Sequence, residues 1–447
     1  MLSSALIALA LTGAPQAGPA DFPFAVLPHR ERIEVVNDIL RERLDDLLPR
    51  LMREARLDMW IVANREYAED PVYLTLVPEP VFAARRTTLL VFFDRGVDAE
   101  TGEDRGVERL TVSRYGLGDF YSSAWPEGGS DDAQWARLAE VIAEREPERI
   151  GVNTSRSWAA ADGLSHGLRT RLEESLGDDM RARLVSAESL CIRWIETRTA
   201  AELALYPQLV GIARSVIAEA FSNRVVTPGV TTTDDVAAHL RQRFEDLGLD
   251  IWFQPYCNVQ RAGLEQDGAI VGKTGATIQR GDLVHTDVGI HYLRLCTDTQ
   301  EMAYVLREDE EEVPLGLRTA MGVGNRWQDL LTDSFVTGRT GNEILAATRA
   351  SAEAEDIECS VYTHPLGFFG HAAGPTIGMW DNQGPTPVRG DWPLFPDTCY
   401  AIEGNVTVTV PEWGGQRVQI KLEQDAVFDG QRVRYLGGRQ TRFHVIR

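Results

Sequence analysis

Asp287, Asp298, His364, Glu403 and Glu423 fall in the last two-fifths of the chain. Carboxylate and imidazole are donor types suited to divalent cations. Glu403 and Glu423 flank the stretch Pro411-Glu412-Trp413-Gly414-Gly415 at equal distances, so a hairpin folded about Trp413 lays them side by side. In that register Val406 faces Ile420 and Val408 faces Val418 on one surface. Thr407 faces Gln419, and Thr409 faces Arg417, on the surface that carries the two acids. Directly opposed carboxylates raise each other's pKa unless a cation or a shared proton sits between them. A solvated face, with Lys421 or Arg417 pairing the acids, is the competing reading.

Asp287 and Asp298 are eleven residues apart. In one continuous strand they would stand roughly 36 Å from each other and could not share an ion. A turn is therefore required near Tyr292, Leu293 and Arg294, although these are poor turn formers.

The elements that must position these residues come from periodicity. Ile33, Leu40, Leu44, Leu47, Leu48 and Leu51 mark an amphipathic helix from His29 to about Leu51. Strands are predicted at 59–62, 88–93 and 149–152, with a helix over 133–145. This alternation indicates an α/β domain over residues 21–197. The second domain, 198–447, opens on a helix through Glu202, Leu205, Leu209 and Ile212. Within it, Gly229 to Asp234 and Gly338 to Glu343 each read as a helix start with a Thr-x-x-acid capping box. Each predicted helix is followed by a strand-like run ending in proline, at Pro255 and Pro365. The repeated order marks an internal echo. The acidic run Arg307 to Glu312 between the halves reads as a solvated loop.

At 447 residues the chain accommodates two cores, and its net charge of −22 excludes nucleic acid and anionic membrane surfaces as partners. The five cysteines, Cys191, Cys257, Cys296, Cys359 and Cys399, form no CxxC pair and no disulfide ladder. Leu2 to Leu11 is a short apolar run followed by small residues. Residues 1–20 are expected to be a signal peptide, and the mature protein periplasmic or secreted, with no membrane partner. Ser165-His166 lacks a nucleophile-elbow setting and Gly322-x-Gly324 lacks a third glycine, so neither competes as a site.

The ordered set Asp287-x-Gly289, Asp298, His364-Pro365-Leu366-Gly367, His371, Ile402-Glu403 and Glu423 resembles the pita-bread metallopeptidase family, which includes methionine aminopeptidase, Xaa-Pro aminopeptidase, prolidase and the metal-free hydrolase creatinase. The preceding domain, with its exit Arg193-Trp194-Ile195-Glu196, resembles the Xaa-Pro aminopeptidase and creatinase branch. The resemblance implies an α+β fold: a pita-bread catalytic domain with a smaller α/β creatinase-like N-terminal domain. It implies that Asp287 chelates one of two divalent metal ions, that Asp298 and Glu423 bridge both, and that His364 and Glu403 complete the other site. The ligation so implied suits Mn, Co, Fe or Zn, with Mn or Zn favoured. Glu403 is implied as proton acceptor and His371 as the imidazole that meets the substrate.

Three departures bear on substrate. No histidine lies in Tyr256 to Asp267, where the family places a substrate-side imidazole; Gln260 and Arg261 are the nearby polar candidates. Lys421 stands where the family has arginine, and Arg294 where it has a hairpin glycine. The expected function is dinuclear-metal-dependent hydrolysis of the N-terminal peptide bond of short peptides, before proline. The alternatives are a creatinase-like hydrolase of a non-peptide C–N bond and a catalytically silent binding module. Whether the chain forms a homodimer is left open.

Overall fold

The structure is a computed structural model and describes residues 23–264 and 275–447. The expected signal peptide lies outside the described residues. The chain forms two compact units, His29–Ile195 and Glu196–Arg447, with the described residues up to Pro28 joining the second.

In the first unit the predicted amphipathic helix runs from His29 to Glu54, passing through one π-helical turn at Arg43–Leu47. The predicted strands appear at Met59–Arg65, Thr87–Asp94 and Ile150–Val152. They belong to a mixed sheet that, among the described residues, has six strands. The helix predicted over 133–145 is Asp131–Ala143, and Ser130 caps it by accepting from Ala133 N. Trp135, Leu138, Val141 and Ile142 on its inner face join Ile61, Leu89 and Val91 of the sheet in one apolar core, where burial of each large side chain contributes about 1.5–3 kcal/mol. Ser165 is a helix cap that accepts from Leu168 N, which accounts for the Ser165-His166 pair.

The second unit is built on a mainly antiparallel sheet. Its strands Tyr256–Gln260, Leu283–Val288 and Thr299–Val305 meet Gln416–Phe428, Thr398–Val410 and Cys359–Val361 in near-mirror order. The internal echo is thus a repeat of structure. The capping boxes are Thr232 with Asp235 and Thr340 with Glu343. The first lies one residue beyond the Thr231–Asp234 spacing implied by the quoted stretch. The helix Ala200–Ala220 has its own box, Thr199 with Glu202. Gly322 and Gly324 lie inside the helix Leu315–Asp333. There a side chain on Gly324 would press on Leu422 and Ile420, so the glycine serves packing.

The hairpin register holds at every predicted pair: Glu403 faces Glu423, Val406 faces Ile420, Thr407 faces Gln419, Val408 faces Val418 and Thr409 faces Arg417. The turn is a short 3-10 segment, Pro411–Trp413, followed by Gly414 and Gly415 at φ 70° and 83°, a left-handed conformation that glycine adopts without steric cost. The turn between Asp287 and Asp298 falls where the reach argument requires it. Ile290–Tyr292 pairs with Leu295–Cys296, and Leu293 and Arg294 take φ 53° and 63°. Local preference opposed this turn. The pairing of Leu283–Val288 with Thr299–Val305 imposes it.

Candidate metal centre

Strand geometry gathers the acids. Asp287 sits at the end of Leu283–Val288, opposite Gln300. Glu403 and Glu423 occupy the central rungs of the long hairpin, and Gln300 also pairs with Glu423. His364 stands on the short strand His364–Leu366, opposite Ala401. Asp298 follows the turn at Leu293 and Arg294, and its backbone N–H donates to Asp425 at 3.0 Å.

All five predicted ligands converge, in two overlapping groups: His364, Glu403 and Glu423, and Asp287, Asp298 and Glu423. Within each group one donor atom per residue lies within 4.8 Å of the others. His364 Nε2 is 3.5 Å from Asp298 Oδ2, 3.9 Å from Glu403 Oε2 and 3.8 Å from Glu423 Oε1. His371 forms a third such group with Asp298 and His364, and is its exposed member.

The donor set fits divalent cations on observations of this chain. Asp287 Oδ1, His364 Nε2 and Glu423 Oε1 are buried and have no hydrogen-bond partner among the described residues. Leaving three such atoms unpaired in one spot is costly unless a cation satisfies them. His364 Nδ1 lies 3.1 Å from the Pro365 carbonyl. That bond places its proton on Nδ1 and leaves the Nε2 lone pair facing the acids, as a ligating histidine requires. Burial pushes the His364 imidazole down to about 3, which keeps it neutral. Burial likewise raises Asp287 to about 7, and burial followed by neighbouring carboxylates drives Asp298 and Glu423 well above the usual range. Glu403 is raised by burial and then by Asp287. Burial and mutual repulsion favour the protonated acids in the absence of a cation, and a bound cation would favour the ionised forms.

The solvated-face reading fails. Glu423 is 1 % exposed, Arg417 pairs with Glu358, and Lys421 is itself buried, with its charge acting on Asp287. Gln260 and Arg261 are corrected as substrate-side candidates. Gln260 bonds the backbone of Gln419, and Arg261 makes two bonds to Asp282 at 2.6 and 2.7 Å. Part of the segment Tyr256 to Asp267 lies outside the described residues. The cysteines are free, with Cys296 and Cys399 buried as small apolar side chains.

The sequence reading missed the residues behind and beside these five side chains. His285, Gln300, Tyr256 and Trp252 all contribute. His285 lies two residues before Asp287 and Gln300 two after Asp298, so period-two alternation alone puts each on the same strand face as its acid. The Tyr256 side chain hydrogen-bonds Asp287, its register partner. Trp252 donates from Nε1 to the Thr297 carbonyl at 2.8 Å and stands edge-on to His371.

Residues 206–427 match the model of metallopeptidase family M24. The chain belongs to metallopeptidase family M24. As an M24 protein it is a peptidase of a divalent-metal-dependent family with the pita-bread fold, and the converging acids lie inside the matched span. Solved structures share this architecture across almost their whole length. X-Pro aminopeptidase from Thermotoga maritima has TM-score 0.61 at 15% identity, covering 89% of this chain and 99% of its own. Xaa-Pro dipeptidase from Bacillus anthracis has TM-score 0.59 at 16% identity, covering 93% and 99%. Prolidase from Pyrococcus furiosus has TM-score 0.53 at 14% identity, covering 88% and 99%. At such identities the likeness is one of fold. No curated protein sequence matches the chain.

Proposed function

We propose that this M24 protein is an exported aminopeptidase that uses two divalent ions, Mn or Zn favoured, to hydrolyse the N-terminal peptide bond of short peptides, with proline following the scissile bond. One observation carries the reading: three unpartnered buried donor atoms, Asp287 Oδ1, His364 Nε2 and Glu423 Oε1, lie in two overlapping groups that share Glu423. Two groups with a shared carboxylate support two ions, and the likeness in fold to an X-Pro aminopeptidase and an Xaa-Pro dipeptidase supports the substrate class. The apolar run at Leu2 to Leu11 supports export.

Divalent ions bound there supply Lewis acidity and make water acidic enough to attack near neutral pH. The Glu403 side chain is 16 % exposed, against 5 % for Asp298 and 1 % for Glu423. This places it to accept the proton of the attacking water. His371, open to solvent and 4.6 Å ring to ring from His364, is placed to hydrogen-bond the substrate carbonyl or amide. The Tyr362 hydroxyl lies 3.2 Å from His371 Nε2 and orients the ring.

A second reading, hydrolysis of a non-peptide C–N bond, follows from the structural use of Gln260 and Arg261, which takes both side chains out of peptide recognition. Metal analysis paired with a panel of Xaa-Pro and non-proline peptides separates the two. Metal-dependent release of the residue before proline is expected. Metal bound without turnover of any peptide would overturn the peptidase reading.

A further inference from the structure

Behind the ligand carboxylates runs a buried relay of three side chains. Gln300 Nε2 lies 2.7 Å from Glu403 Oε1 and 2.9 Å from Glu423 Oε2. Gln300 Oε1 lies 2.8 Å from His285 Nε2, and His285 Nδ1 lies 3.3 Å from Asn258 Nδ2. The strands fix the alignment, because Asn258 is the register partner of His285, and Gln300 that of both Asp287 and Glu423. Asn258, His285 and Gln300 are all buried.

The direction of the bonds follows from donor and acceptor chemistry. Ionised carboxylates only accept, so the amide nitrogen of Gln300 must face them. Its oxygen then faces His285 and needs a donor, which places the imidazole proton on Nε2. Nδ1 is left as an acceptor, and Asn258 supplies it with an N–H. Each donor in the series therefore points toward the acids. The amide takes one oxygen from each glutamate, and the opposite oxygens, Glu403 Oε2 and Glu423 Oε1, are the ones that face His364 Nε2.

We propose that Asn258, His285 and Gln300 are positioning residues: the relay fixes which oxygen of Glu403 and of Glu423 turns toward the ions, and so raises metal affinity. This rests on the reading of those glutamates as metal ligands. Groups that orient ligands from behind are worth about 10- to 100-fold in metal affinity. A network that only fills the core would change folding stability and leave affinity untouched.

The test is calorimetric titration of the chelator-stripped full chain with Mn²⁺, alongside denaturant unfolding of the ion-free protein. Gln300→Leu removes the amide and is expected to weaken Mn²⁺ binding by about 10- to 100-fold. His285→Leu keeps the amide but frees its orientation, and a smaller loss of several-fold is expected; this variant also carries the test if Gln300→Leu does not fold. Variants that unfold more easily yet bind Mn²⁺ as the parent does would overturn the proposal while leaving the peptidase reading intact. Weakened binding in a series whose parent turns over no peptide would sustain the relay and remove the peptidase reading. A parent that binds neither Mn²⁺ nor Zn²⁺ would remove both.

Discussion

Trp252 meets His371 edge to face, with ring centroids 5.2 Å apart and planes at 74°. The indole is wedged in place: a Cβ on Gly370 would come within 2.2 Å of it, and one on Gly289 within 2.1 Å. Gly370→Ala must therefore push the indole away from His371. The expected outcome is a loss of roughly 10²-fold in kcat/KM, the scale of a misplacement near 1 Å, with a stability cost of about 1–3 kcal/mol from overpacking. Peptide kinetics and urea unfolding of the metal-loaded variant check both. Wild-type kinetics would show that the His371 ring is not held by Trp252.

Glu403 and Glu423 share a rung of the hairpin and differ in their surroundings. Glu423 is 1 % exposed and belongs to both ligand groups, whereas Glu403 belongs to one and is more open. Glu423→Gln is expected to cost metal content at both positions. Glu403→Gln should retain at least one ion and lose activity by roughly 10²- to 10⁴-fold, as removal of a general base does. Metal content by mass spectrometry, with turnover of the same samples, separates the two roles. Equal metal loss in both variants would contradict the assignment.

The ion-free protein should respond to pH in the opposite sense to the loaded one. Burial raises Asp287 from 3.8 to about 7, and Asp298, Glu403 and Glu423 are raised as well. A raised folded pKa gives stability that is full below the unfolded value near 4 and is lost as pH climbs through the folded value. Ligation needs the ionised forms, so metal stabilisation grows over that same window. The rise in Tm caused by Mn²⁺ is expected to be small at pH 5 and large at pH 8. A shift that is flat with pH would contradict protonated acids in the ion-free centre.

Much of the centre was legible from the sequence because period-two alternation fixes which side chains share a strand face, and a symmetric hairpin then fixes the rung. That sufficed for Glu403 and Glu423 and for the dry face of Val406, Val418 and Ile420, while the capping-box pattern marked the helix start at Thr340. The turn at Leu293 and Arg294 was legible by reach alone. Its residues argued against it, and only the pairing of the flanking strands supplies the energy to hold two ordinary side chains at positive φ.

The sequence by itself determined the two-part organisation through local periodicity, and its resemblance to the pita-bread metallopeptidases implied which five side chains come together. Tertiary structure decided what stands behind those side chains. Gln300, His285 and Asn258 come from three different strands, and none carries a motif. It also decided that Arg261 is tied to Asp282 and Arg417 to Glu358. A side chain's partner is fixed by which strands lie side by side, and that pairing is a long-range outcome of burying one common core.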